Sequence, residues 1–205
     1  MIRNNKSALS WVTGQIWCLK FEKSRDQNQA SESVKLDFIG SRLVVSSKEN
    51  SYDYLPDLAC VLETIRTELN ESDLIILGVQ NTPWGSQQND YSPVKTALEY
   101  LKQRIDKDFN GGFLLNGNPL IEFIPHLFWL VRCNAVLPLI YMSFPNSKTV
   151  ISLCKYGVMH FDFYDQSEKL EVLQILSNLN FKEVDSCGDP VDFDNFDGSK
   201  IKISI

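Results

Sequence analysis

The chain has 205 residues, with 20 Lys and Arg against 26 Asp and Glu and a formal net charge of -6. Hydrophobic residues make up 43% and charged residues 22%, ordinary globular proportions that exclude wholesale disorder. At roughly 150 residues per domain the length fits one globular domain, 1–205, and the acidic balance offers no electrostatic footprint for nucleic acid.

In chain order, Leu9–Phe21 is β-rich with apolar residues on both alternating faces, which predicts a strand covered on both sides. Residues 22–33 are polar and predict a long mobile loop. Val34–Ser46 predicts two short strands hinged at Gly40-Ser41. Leu58, Val61, Leu62, Ile65 and Leu69 form one stripe of a 3.6-residue repeat, so a helix is predicted over Pro56–Leu69. Asp73–Val79 is a compact apolar run that predicts a central strand. A second helix is predicted over Pro93–Lys107, with Ser92 as N-cap and Pro93 at the first helical position.

Phe113–Leu115 and Leu120–Ile124 flank Asn116-Gly117, a hairpin signal. His126–Cys133 fits a short helix or a strand equally well. Leu137–Phe144, Thr149–Lys155 and Val158–Tyr164 predict an antiparallel meander, the last two turning at Tyr156-Gly157. Asp165 and Glu168 form a capping box that opens a third helix, Gln166 to Leu179. Phe181–Val184 and Lys200–Ile205 predict edge strands. The expected class is α+β: a largely antiparallel sheet, mixed pairing left open, with about three amphipathic helices packed on it.

Pro119–Phe144 is long enough to cross a bilayer but contains Glu122, His126, Arg132 and three prolines. Charges near mid-span cost about 2.5–3.5 kcal/mol each, so buried elements are expected there and no membrane span. Ser7–Leu19 is too polar for a signal-peptide core. Cys18, Cys60, Cys133, Cys154 and Cys187 are odd in number and form no close-spaced pair. That pattern predicts mostly buried thiols in a reducing cytoplasm, with neither a disulfide framework nor a zinc knuckle.

No glycine-rich phosphate loop, dinucleotide fingerprint, nucleophile elbow or H-E-x-x-H motif is present. With two histidines, His126 and His160, multi-histidine metal sites are excluded, and no metal or cofactor is expected. His160, Asp162 and Tyr164 alternate onto one strand face, a candidate acid–base site whose plain alternative is a solvated face. Trp84 lies in the loop Gln80–Tyr91, either as an exposed aromatic anchor or folded back onto the core. Cys133 adjoins Arg132, which would lower its pKa, but no histidine is placed beside it.

The segment 183–198 concentrates the acidity. Glu183–Asp197 holds six acidic residues and no basic one, which equals the whole formal excess. A calcium loop fails on spacing, because positions 5, 6 and 12 from Asp192 are Phe196, Asp197 and Ile203. Acidic residues interleaved with aromatics suit a basic partner protein instead, with Trp84, Asp189, Asp192, Phe193, Asp194, Phe196 and Asp197 as contact residues.

The leading expectation is therefore a non-catalytic interaction domain with an inhibitor, immunity-type or adaptor role, touching neither membrane nor nucleic acid. The first alternative is a hydrolase or transferase without a recognisable motif, using His160 and Asp162. The second is a structural subunit of a larger assembly, docking through an unpaired edge such as Lys200–Ile205. The oligomeric state stays open.

Overall fold

The computed structural model describes residues 3–4, 37–78, 82–86, 89–134 and 139–193. The strand expected at Leu9–Phe21, the loop at 22–33 and the edge strand Lys200–Ile205 lie outside the described residues. Strands β1 (Arg3–Asn4), β2 (Gly40–Ser46), β3 (Leu74–Leu77), β4 (Phe113–Leu115), β5 (Leu139–Ser143), β6 (Thr149–Cys154), β7 (Met159–Phe163) and β8 (Phe181–Val184) form one sheet. Its order is β1-β4-β3-β5-β6-β7-β2-β8, and every pairing is antiparallel. Four helices pack on it, α1 (Ser51–Glu68), α2 (Ser92–Lys102), α3 (Gly117–Arg132) and α4 (Gln166–Asn178). The class is α+β as expected, with four helices where about three were predicted. Among the described residues no helix is long and apolar enough to cross a membrane.

The extra helix comes from two corrections with one cause. Asn116-Gly117 does not turn a hairpin, and Leu120–Ile124 is not a strand; Asn116 is the N-cap of α3, and the helix runs on from Gly117 and also absorbs the ambiguous 126–132. Gly117 adopts φ +56, as the hairpin signal requires of its glycine, but its neighbours are spoken for. The Gly117 N–H donates to Glu63 Oε2 at 3.2 Å, and Asn116 Nδ2 donates to Asp73 Oδ1 at 2.8 Å. A carboxylate on α1 thus accepts one of the orphan N–H groups that begin α3. Leu120, Phe123, Ile124, Leu127 and Phe128 then fall on one buried helical face. Pro125 sits inside the helix, where its missing hydrogen bond and ring clash cost about 3 kcal/mol. Burial of the bulky side chains on this helix offsets that cost.

Helix α1 also begins earlier than predicted. Asn50 caps it, its Oδ1 accepting from the Asp53 N–H at 3.0 Å, so Pro56 lies inside the helix and not at its start. The added turn carries Tyr54, which is fully buried. At α2 the N-cap is Tyr91, one residue before the predicted Ser92. Val34–Ser46 yields one described strand, β2, and no hinge at Gly40 within it.

Glu63 offers a test of the α1–α3 contact. Its carboxylate takes a bidentate pair from Arg66 at 2.7 and 2.8 Å besides the Gly117 N–H. The Arg66 hydrogen bonds hold its pKa below the ordinary carboxylate value. A depressed folded-state pKa means stabilisation present above the unfolded value, about 4.3, and lost as pH falls through the folded one. Glu63→Gln is expected to unfold at lower urea near neutrality and to narrow its gap from the parent as the pH drops below about 4. A gap constant from pH 7 into the acid range would refute the assignment.

Candidate functional site

Three elements converge at the turn joining β6 to β7. Cys154 ends β6, and the chain reverses through Lys155, Tyr156 and Gly157. The Cys154 N–H donates to Val158 O at 3.2 Å and the Gly157 N–H to Cys154 O at 2.9 Å. Gly157 is required there, since it has φ +77 and a Cβ would lie 3.2–3.4 Å from Phe128, Tyr54 and Phe193. The Tyr54 hydroxyl donates to Gly157 O at 2.9 Å.

Along β7 the burial alternates, with Met159, Phe161 and Phe163 in the core and His160 and Asp162 half-buried on the other face. In register, His160 stands opposite Ser152 of β6 and Leu43 of β2, and Leu43 stands opposite Val184 of β8. Three residues past Val184 the chain brings Cys187 over that face. The Cys187 Sγ lies 3.2 Å from His160 Nε2 and 4.0 Å from Cys154 Sγ. One donor atom from each of the three side chains lies within 4.8 Å of the other two. Burial pushes the Cys154 thiol up, but hydrogen bonds from His160 and from the Tyr156 and Val158 backbone outweigh it, leaving its pKa below the ordinary thiol value. Burial and the nearby Cys154 raise that of Cys187.

The loop that carries Cys187 is tied down on its far side. Arg132, at the end of α3, grips Asp189 in a bidentate pair, with Nη1 to Oδ1 at 2.6 Å and Nη2 to Oδ2 at 3.2 Å. The same Nη1 donates to Lys155 O at 3.1 Å. Its guanidinium lies 4.9 Å from the Phe193 ring centroid. Phe193 is 1% exposed and packs edge-on to Tyr54 at 5.7 Å and tilted to Phe128 at 4.7 Å. Asp185 and Asp192 face solvent, while Glu183 pairs with Arg42 at 3.0 Å.

Several sequence-derived candidates are thereby relocated. Trp84 is 2% exposed, its indole N–H donating to Gly111 O at 2.9 Å and its ring 4.8 Å from that of Phe113. Trp84 and Phe193 are core side chains, so neither presents an aromatic anchor at the surface. Asp162 accepts from the Ser41 hydroxyl at 2.6 Å, and Tyr164 packs edge-on to Phe38. Two shallow open grooves, of about 460 and 400 Å3, lie along β2 and β8, and neither His160 nor Asp162 lines them. Asp194, Phe196 and Asp197 lie outside the described residues.

The thiols are less buried than predicted. Of the four described, Cys154 is buried, Cys133 is half-buried, and Cys60 and Cys187 are exposed, the last because it rides on a loop and not on an element. Sequence reasoning missed the pairing of Cys187 with His160, which no spacing announces. No protein-family model, curated protein or solved structure matches the chain.

Proposed function

We propose that the protein is a non-catalytic interaction domain of the cytoplasm, binding a basic partner protein through its acidic segment 183–198 in an inhibitor, immunity-type or adaptor role. The observation that carries this reading is the anchoring of the segment at Asp189 and Phe193 while Asp185 and Asp192 stay on the surface. A loop held before binding loses little conformational freedom on association, and complementary charge speeds encounter. Trp84 and Phe193 are withdrawn as anchors by their burial, so within the described residues recognition rests on charge and on the shape of the held loop. The odd number of cysteines, none closely spaced along the sequence, supports the cytoplasmic placement.

The test is capture from an extract of the native source, followed by binding measurements with the recovered partner. Replacing Asp192, Asp194 and Asp197 by Ser is expected to weaken binding about tenfold, taking each charge pair with the partner at about 0.2–1 kcal/mol. Binding by the parent should fall as the Debye length shrinks from about 10 Å at 0.1 M salt to about 3 Å at 1 M. Affinity indifferent to both the substitutions and the salt would sink the reading.

A further inference from the structure

We propose that Cys154, His160 and Cys187 bind one borderline-soft divalent transition-metal ion, zinc first among them. This goes beyond the interaction reading and does not rest on it. The three donors come from a strand end, a neighbouring strand and a loop, and their separations suit a tetrahedral centre. With Zn–S near 2.3 Å and Zn–N near 2.0–2.1 Å, tetrahedral ligands sit about 3.8 Å apart for two sulfurs and about 3.6 Å for sulfur and nitrogen. The corresponding separations are 4.0 Å between the Cys154 and Cys187 sulfurs and 3.2 Å between Cys187 Sγ and His160 Nε2. Shifts of a few tenths of an ångström reconcile these two separations, and the third pair, Cys154 Sγ with the His160 ring nitrogen, lies within 4.8 Å.

Cys187 does not owe its position to its sulfur. The Arg132–Asp189 pair two residues on, and Phe193 beyond it, hold the loop against the body by contacts of a different kind. The loop therefore delivers the third donor to a pair already set by the β6–β7 turn. Thiolate and imidazole together select zinc-like ions, while magnesium and calcium require oxygen donors. Asp162, the carboxylate nearest along β7, is engaged by Ser41. Binding replaces two S–H bonds with two metal–sulfur bonds and releases two protons to solvent, and no electron is transferred. Three protein donors leave a fourth position for water or another exogenous ligand. A bound ion would clip the acidic loop to the sheet at a third point.

The experiment titrates the reduced, metal-free full chain with Co2+, then displaces it with Zn2+ in competition with a chromophoric chelator. The expected result is one equivalent bound, with the visible bands of tetrahedral cobalt and a near-ultraviolet sulfur-to-cobalt charge-transfer band. Cys187→Ser should remove part of that band and weaken zinc binding by more than the 10–100-fold that loss of an outer-shell group costs. Cys187 is a surface loop residue, so this variant keeps the fold and remains informative even where Cys154→Ser does not fold. Cys60→Ser and Cys133→Ser should bind as the parent does. The Asp192, Asp194 and Asp197 to Ser variant should also bind metal normally, which separates failure here from failure of the interaction reading. Cobalt bound without a charge-transfer band, or a band untouched by Cys187→Ser, would overturn the proposal.

Discussion

Replacing Trp84 by alanine is expected to lower the unfolding free energy by about 3–5 kcal/mol. The whole folded state of a domain is worth only about 5–15 kcal/mol, so this is among the largest single losses open to the chain. Two costs combine. The indole is buried against Phe113, and its removal leaves a cavity that the surrounding core can fill only in part. The Gly111 carbonyl, which accepts from the indole N–H at 2.9 Å, also loses its partner, at about 1–3 kcal/mol. Trp84→Phe isolates the second cost, since it keeps an aromatic ring in the space. In urea the midpoint should fall in the order parent, phenylalanine, alanine, with unchanged slope. A surface anchor would behave in the opposite way, with unaltered unfolding and weakened partner capture.

The position of Trp84 shows where a single sequence stops being informative. Pro83-Trp84-Gly85 reads as a loop and is one, but nothing local says which way the indole turns. That depends on Gly111, 27 residues later, offering a carbonyl at the right depth. The same holds at Asn116-Gly117, where the hairpin signal is correct about backbone conformation and wrong about its consequence. Glu63 and Asp73, both remote in sequence, capture the groups that would have faced a partner strand. By contrast, the meander β5–β7 and helix α4 are written locally. Their runs alternate or repeat cleanly, and Asp165 accepts from the Ser167 and Glu168 N–H groups as the capping box requires. Half of the Cys–His–Cys cluster had a local signal that went unread, because the predicted turn at Tyr156-Gly157 brings Cys154 near His160. The missing half was Cys187, whose approach depends on an ion pair to α3 and a phenylalanine in an aromatic pocket.

Phe193 is where those two halves meet, and Phe193→Ala is expected to cost about 3–5 kcal/mol in unfolding free energy. Its ring closes the pocket of Tyr54, Phe128 and Trp129 and receives the Arg132 guanidinium. Truncation removes that stacking partner and loosens the hold on Asp189. Limited proteolysis should then cut within Asp185–Phe193 faster than it does in the parent. Phe193→Leu, which keeps most of the volume, should lose less and be cut no faster than the parent. Metal binding and partner capture should both weaken in Phe193→Ala, because each requires the loop against the sheet. The cause is shared, so the effects of Phe193→Ala and Cys187→Ser on stability in saturating zinc should not add. Once either anchor is gone, losing the other should cost less than it does in the parent, a coupling of about 0.5–3 kcal/mol. Strict additivity would show that the aromatic pocket and the sulfur cluster hold the chain independently. Unaltered unfolding of Phe193→Ala with lost capture would instead make Phe193 a direct partner contact, and its burial in the free protein would have to be abandoned.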